Sequence, residues 1–426
     1  MALIESFSGV RGIFEKDLKK NIIQNYAASF CLNKKKIVVG RDTRKSSIKI
    51  KDVIVNSVGI NVIDVGVAST PEIELAVRKY KADGGIIITA SHNEPHFNGM
   101  KFLGRDGMII SPERMNKLIW ASRIKKDVKK GKVVRKDISK EYVSFIKKVV
   151  GSSGISKITK GKFHVVVDPN GGTGIIAKKV LESIGVKVSI INGKIGEFKR
   201  TIEPKESSLS WLKKEVKEKK ADFGAGFDCD GDRAELVIDD RFVSGHYVLA
   251  LLVSAALKKE GVVVVNDATS HLLKEVVDKL GGSVVDVEVG EVNVVEEMVR
   301  LNSIVGGEGS CGGGIVKPSR CRDGTLTIVM ILKLMAEKKK KLKDILEVMP
   351  KYFTIQNKVK VDGFDKKKFE LMVKERYRKN KIIGCGSSIK VLFRDGFLWF
   401  RESKTESDTV RIIVDSNAED VTQSTS

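Results

Sequence analysis

Aromatic residues are scarce in this chain, at 6% of 426 positions, and long apolar runs are missing altogether. With so few aromatics to alternate with its many lysines, the sequence offers no stacking platform for nucleic acid. No apolar stretch reaches the roughly 18 to 20 residues a membrane-spanning helix needs, because Gly, Lys or Asp interrupts each one, so no membrane partner is expected. The N-terminal MALIESFSGVRG lacks the basic segment and apolar stretch of a secretory signal. Cysteine is sparse as well: Cys31, Cys229, Cys311, Cys321 and Cys385 are odd in number, scattered, and form no C-x-x-C pair. That argues against a disulfide framework and a zinc site, and for a reducing cytoplasm.

Positive charge, by contrast, is plentiful. Lys and Arg number 77 against 54 Asp and Glu, for a net charge of +23. The lysines are spread along the chain, with short runs such as Lys34 to Lys36 and Lys338 to Lys341, and read as solvated helix faces. A basic nucleic-acid-binding protein is the alternative, and it would need a contiguous basic groove. The same field would also draw in a small phosphorylated substrate. The 42% hydrophobic and 31% charged content is that of a globular protein, and the length suits several domains.

Three segments read alike: KKIVVGRDTRKSSIKIKDVIVNSVGINVIDVG from Lys35, FHVVVDPNGGTGIIAKKVLESIGVKVSII from Phe163, and GVVVVNDATSHLLKEVVDKLGGSVVDVEVG from Gly261. Each has a β-branched run, a polar turn, a helix-length amphipathic stretch, a glycine stop (Gly59, Gly185, Gly281) and a second β-branched run. The repetition predicts three similar α/β domains with mixed sheets. Polar stretches at 151–162 and 239–247 are the expected boundaries, and the last 75 or so residues predict a smaller α+β domain. The expected division is therefore 1–150, 151–245, 246–350 and 351–426, four domains around a central cleft, with a frayed tail.

Four loops carry the chemistry. TASHNEPHFNGMKF (89–102) places Ser91, His92 and Lys101 after an apolar run. GFDCDGDRAELVI (226–238) sets Asp228, Asp230 and Asp232 at alternate positions, where three carboxylates repel unless a cation sits among them; hard oxygen ligands suit Mg²⁺. An EF-hand is excluded, since the glycine is misplaced and no Glu falls at the twelfth position; a solvated acidic turn is the bland alternative. GGEGSCGGGI (306–315) exposes backbone N–H groups and places Glu308 and Ser310 to bond sugar hydroxyls, although a plain glycine-rich turn would look the same. WFRESKTESDTVRI (399–412) combines Arg401, Ser403, Thr405 and Arg411 as a phosphate clamp, against the alternative of a surface charge cluster. Arg11, between glycines in FSGVRGIF, is a further candidate phosphate contact. Asp168 and Asn170 read as structural turn residues.

These loops, in this order, resemble those of the α-D-phosphohexomutase superfamily. Thr89 to Asn93 match its T-A-S-H-N-P loop, with Glu94 before Pro95. Asn98, Gly99 and Lys101 match N-G-x-K. Asp228, Asp230, Asp232 and Arg233 match D-G-D-x-D-R, with Cys229 for the usual glycine. Gly307, Glu308 and Ser310 match G-E-x-S. Arg401, Ser403, Thr405 and Glu406 match R-x-S-x-T-E-P, with Ser407 for the proline and Arg411 one residue late. The segment VGEVNVVEEM resembles the phosphoglucosamine mutase and archaeal-type branches.

The resemblance implies a phosphoserine at Ser91, one Mg²⁺ held by Ser91, Asp228, Asp230 and Asp232, and a sugar 1,6-bisphosphate as intermediate and activator. It implies Lys101, His92 and Arg11 in proton transfer or charge balance, with Arg233, Glu308, Ser310, Arg401, Ser403, Thr405 and Arg411 on the substrate. The expected protein is a cytoplasmic isomerase, monomer or homodimer, acting on a small phosphosugar. Glucosamine phosphate is taken first, with phosphomannomutase/phosphoglucomutase activity as the alternative. A non-catalytic homologue is a further alternative, motivated by Ser407 and Cys229. Glu291 is left without a role.

Overall fold

A computed structural model describes residues 3–125, 130–403 and 408–418. Each repeated segment forms strand, helix and parallel strand. The sets are Lys36–Arg41, Lys45–Val55 and Asn61–Val67; His164–Asp168, Ile176–Glu182 and Lys187–Ile190; Val262–Asn266, His271–Lys279 and Ser283–Val287. β-branched side chains fill the pleats of the first strands, where Val38, Val166 and Val264 are fully buried.

On the other side of each first strand lies another parallel strand: Gly85–Ile88, Phe223–Phe227 and Val305–Gly307. In every unit that strand then doubles back as an antiparallel neighbour: Phe97–Leu103, Ala234–Ile238 and Gly314–Val316. The connection between the two is the serine loop in the first unit, the aspartate loop in the second and the glycine-rich loop in the third. Three of the four chemical loops thus hold one position in a repeated topology, beyond the carboxyl end of a parallel strand.

The sheets contain seven, five and four strands, and the last is a five-stranded antiparallel sheet with the helix Lys366–Arg376 on it. The second and third units share one core. The helices Gly245–Ala256 and Gly324–Lys338 are apolar almost all round and lie inside it, with Leu249, Leu252, Ile328 and Leu332 fully buried.

Two expectations about the first boundary change. The polar stretch 151–162 is the helix Ser152–Gly161, which follows Gly151 (φ +78) and buries Ile158 in the shared core. The helix Ser139–Val150 buries Tyr142 and Ile146 there too, so it packs with the second and third units although the expected division puts it in the first. Its exposed Lys140, Ser144 and Lys148 mask a narrow apolar stripe, which is all a peripheral helix needs to dock.

Candidate active site

Ser91 is 2% exposed and sits at φ +51, a left-handed conformation uncommon for a side-chain-bearing residue. Three contacts hold it. Its N–H donates to Thr89 Oγ1 at 2.8 Å, its carbonyl accepts from Arg44 Nη2 at 2.9 Å, and its Oγ lies 3.4 Å from Asp228 Oδ2. Arg44 is itself fully buried, paired with Asp42 and bonded to the Asn93 carbonyl; Ser47 donates to the same Asp42 carboxylate at 2.6 Å. Arg11 Nη1 donates to Asn93 Oδ1 at 3.0 Å. Gly99 follows from crowding, since a Cβ there would lie 2.3 Å from the Val10 carbonyl oxygen. Burial, reinforced by Arg233 and Arg11, holds His92 down to about 2, so its imidazole is neutral, and its buried Nδ1 has no partner.

The three aspartates are buried, with one ligand oxygen from each within 4.8 Å of the others. Thr70 Oγ1 and Lys101 Nζ each donate to Asp230 Oδ2 at 2.8 Å, while Arg322 Nη2 donates to Asp232 Oδ2 at 3.2 Å. Burial raises Asp228, and the charges of Asp232 and Asp230 raise it further. Burial opposes ionisation of Asp232 as well, but Arg322, Lys101 and Arg233 outweigh it and hold that carboxylate low. Oδ1 of Asp230 and Oδ1 of Asp232 are buried without a hydrogen-bond partner. Orphaned oxygens on clustered carboxylates are what a divalent cation fits, so the residues present suit Mg²⁺. Cys229 does not enter this cluster. Its sulfur lies 3.7 Å from Thr43 Oγ1, and its carbonyl accepts from Thr173 N and Oγ1 at 2.9 and 3.1 Å.

Arg322 joins the aspartate loop to the glycine-rich loop. Its guanidinium reaches Asp232, Glu308 Oε2 at 2.9 Å and Glu291 Oε2 at 2.8 Å. The next residue, Asp323, caps the helix Gly324–Lys338 by accepting from Leu326 N at 2.8 Å and takes the Tyr142 hydroxyl at 2.7 Å. Such a cap contributes about 1 kcal/mol and fixes where the chain enters the helix, directly after Arg322. Glu308 Oε1 accepts from Asn266 Nδ2 at 2.9 Å and Gly290 N at 3.0 Å, so both its oxygens are engaged by the protein. Ser310 is exposed and lines two adjoining cavities.

The smaller cavity, about 220 Å³, contains Arg401 and Arg411. Strand register sets Arg401 directly opposite Arg411, and Arg411 directly opposite Lys358, so three cations cross three adjacent strands in one row. Arg401 Nε and Nη1 are buried without hydrogen-bond partners. Ser403 ends the strand-side of this loop; Thr405 lies outside the described residues. Arg233 sits across the larger cavity, with Nη1 3.3 Å from Glu203 Oε1 and Nε 4.0 Å from Asp228 Oδ2. Asp168 and Asn170 hold the segment before Glu203: Arg200 Nε donates to Asp168 Oδ2 at 2.7 Å, and Asn170 Oδ1 accepts from Lys199 N and Arg200 N.

Sequence reasoning missed Arg44, Thr70, Arg322 and Lys358. Arg44 had a signal, because the turn GRDTRKSS is the first unit's counterpart of the polar turns in the other two. Arg322 and Lys358 had none, since tertiary packing brings Arg322 to Asp232 and Glu291, and strand register alone sets Lys358 opposite Arg411.

The fold and the loop arrangement define a phosphohexomutase. Descriptions of phosphoglucomutase/phosphomannomutase α/β/α domains I, II and III match residues 5–129, 140–241 and 244–352. The chain belongs to this family of intramolecular phosphotransferases. It is 33% identical to a phosphoglucomutase/phosphomannomutase of Thermococcus kodakarensis over 97% of this chain and 94% of that one. It is 30% identical to a probable phosphoglucosamine mutase of Pyrococcus horikoshii, over 98% and 94% of the two chains. A phosphoglucosamine/phosphogalactosamine mutase of Sulfurisphaera tokodaii is also 30% identical, over 97% and 95%. The fold matches a putative phosphomannomutase of Thermus thermophilus with a TM-score of 0.82 at 22% identity, over 99% and 97% of the chains. Among the described residues no helix is long and apolar enough to cross a membrane.

Proposed function

We propose that the protein interconverts a hexose 6-phosphate and a hexose 1-phosphate through a phosphorylated Ser91 and a bound 1,6-bisphosphate. The observation that carries this reading is Ser91 Oγ at 3.4 Å from Asp228, on the rim of a buried carboxylate cluster with orphaned oxygens. Asp228, Asp230, Asp232 and a phosphate oxygen on Ser91 would hold one Mg²⁺, which neutralises charge on the phosphoryl group as it transfers.

The residues divide the remaining work. The sugar hydroxyl oxygen bonds to phosphorus as the bond from phosphorus to Ser91 Oγ breaks, and the hydroxyl proton ends on the departing Ser91 Oγ, which becomes the free serine hydroxyl. His92 is neutral, and at about 2 it is too weak a base to keep that proton; its unpartnered Nδ1 can accept a hydrogen bond that orients the hydroxyl. Burial would lower Lys101, but Asp230, Asp232 and Glu291 raise it above the usual lysine value, so it balances the charge of the cluster. Arg11 steadies the serine loop through Asn93, and Arg233 stands beside Asp228 to meet phosphate. Arg401 and Arg411, with Ser403 and Thr405, grip the phosphate that is not reacting, and after the bisphosphate turns over they grip the other. Ser310 contacts the ring, while Glu308 shapes the sugar loop from beneath. A closing C-terminal domain would exclude water, and a trace of sugar 1,6-bisphosphate would re-prime a dephosphorylated Ser91.

Glucosamine phosphate is the first candidate substrate, with mannose and glucose phosphates next. Relatives bearing the phosphoglucosamine mutase name support that order. We also place the protein in the cytoplasm, as a monomer or homodimer. The test is intact-mass analysis of fresh protein, which should show a fraction one phosphoryl group heavier, mapping to Ser91. Ser91→Ala should remove the adduct and lower turnover by about 10⁴-fold or more in a coupled assay. Full activity without the adduct would sink the proposal.

A further inference from the structure

The two adjoining cavities differ in sign. The smaller one is lined by Arg401, Arg411 and Lys358, with no carboxylate among its lining residues. The larger one, about 650 Å³, is lined by three carboxylates, Glu203, Glu206 and Glu235, against Arg233 and Lys205. Ser310 and Gln356 belong to both, so one ligand can span them. A volume of this size accommodates a hexose.

Glu203 and Glu206 already have cations. Arg233 and Lys205 pair with Glu203 at 3.3 and 2.6 Å, and Lys213 pairs with Glu206 at 2.9 Å. Glu235 forms no salt bridge among the described residues, although Arg233 is near enough for its charge to be felt. It is 6% exposed, its Oε1 accepts from Gly312 N of the sugar loop, and its Oε2 is buried with no hydrogen-bond partner. Bracing Gly312 uses only one oxygen. A buried carboxyl oxygen left unpaired is costly, and a ligand donor in the cavity would relieve that cost.

Resting on the mutase reading above, we propose that Glu235 selects an amino sugar phosphate, pairing with the substrate ammonium while Arg401 and Arg411 hold the phosphate. Burial pushes Glu235 up to about 8, against the lowering effects of the Gly312 N–H and Arg233. At pH 7 the carboxyl is therefore mainly neutral in the empty cavity, and a cation beside it favours ionisation, the proton leaving to solvent. A sugar with a hydroxyl at that carbon gains a neutral hydrogen bond, roughly half as strong as a charge-assisted one. An N-acetylated sugar brings no cation.

The test compares wild type and Glu235→Gln on glucosamine 6-phosphate and glucose 6-phosphate. Wild type should favour the amino sugar, and the variant should lower the glucosamine-to-glucose ratio of kcat/KM about tenfold or more, mainly through KM. An equal loss on both sugars would mean that Glu235 only braces Gly312, and it would overturn the assignment, as would an unchanged ratio. If the variant does not fold, calorimetric binding to Ser91→Ala protein decides. Tighter binding of glucosamine 6-phosphate than of glucose 6-phosphate and N-acetylglucosamine 6-phosphate supports the assignment, and equal affinities overturn it. Turnover of no hexose phosphate at all would sink the mutase reading instead, and the binding comparison would still judge Glu235.

Discussion

Two charged regions of this protein are built in opposite ways. Around the aspartate loop cations meet carboxylates, two of them across units: Lys101 from the first and Arg322 from the third converge on aspartates of the second. On the C-terminal sheet, Arg401, Arg411 and Lys358 face one another across paired strands. Like charges directly opposite are destabilising. The contrast separates two functions of charge. The first cluster is pre-organised by the protein itself, whereas the second sets Arg401 directly opposite Arg411, a like-charge pair that a bound anion would offset.

The largest expected effect comes from attacking the first cluster at its centre. Asp230→Asn should lower turnover by about 10³-fold and remove Mg²⁺ binding in calorimetry. Wild-type protein should melt higher with saturating Mg²⁺, since a ligand at about 100 times its Kd adds about 2.7 kcal/mol. Arg322→Met follows. It strands Asp232, Glu291 and Glu308 without their shared cation, so denaturant unfolding should show a loss of about 3–5 kcal/mol.

A buried group lying between the regions gives a pH effect. Burial holds His246 down to about 4, and its Nδ1 accepts from Ser270 N. The unfolded chain, at about 6.5, binds the proton first, so the contribution of His246 is complete above that value and is lost as pH falls toward 4. Wild-type stability should therefore drop in this window by about 1.4 kcal/mol per pH unit more than that of His246→Asn. The smallest effect belongs to the second cluster. Arg411→Ala should raise KM about tenfold and leave stability unchanged or raised by about 0.5 kcal/mol, because it removes a facing like charge. A large loss of stability there would erase the contrast between the two regions.

Much of this is legible in residue order. The β-branched runs and glycine stops mark the three repeated units, and alternating Asp228, Asp230 and Asp232 announce a cation site. The helix Ser152–Gly161 is not legible, because its Lys and Ser content resembles a linker and only docking on the shared core explains its helicity. Thr70 is invisible for a related reason. It opens the helix Thr70–Lys79 behind a Ser69/Glu72 capping box, a local feature, yet its hydroxyl is spent on Asp230, 160 positions away.

The sequence by itself determined which units repeat and which loops carry serine, carboxylate, glycine and arginine, because strand and turn preferences and loop chemistry are local properties. The tertiary structure alone decided which charges cancel and which oppose. Arg322 becomes the shared cation of three carboxylates, Lys358 joins the arginine row, and Glu235 is left with an unpaired oxygen. Each of these facts depends on distance and desolvation between segments far apart in the chain, and spacing along the sequence does not encode them.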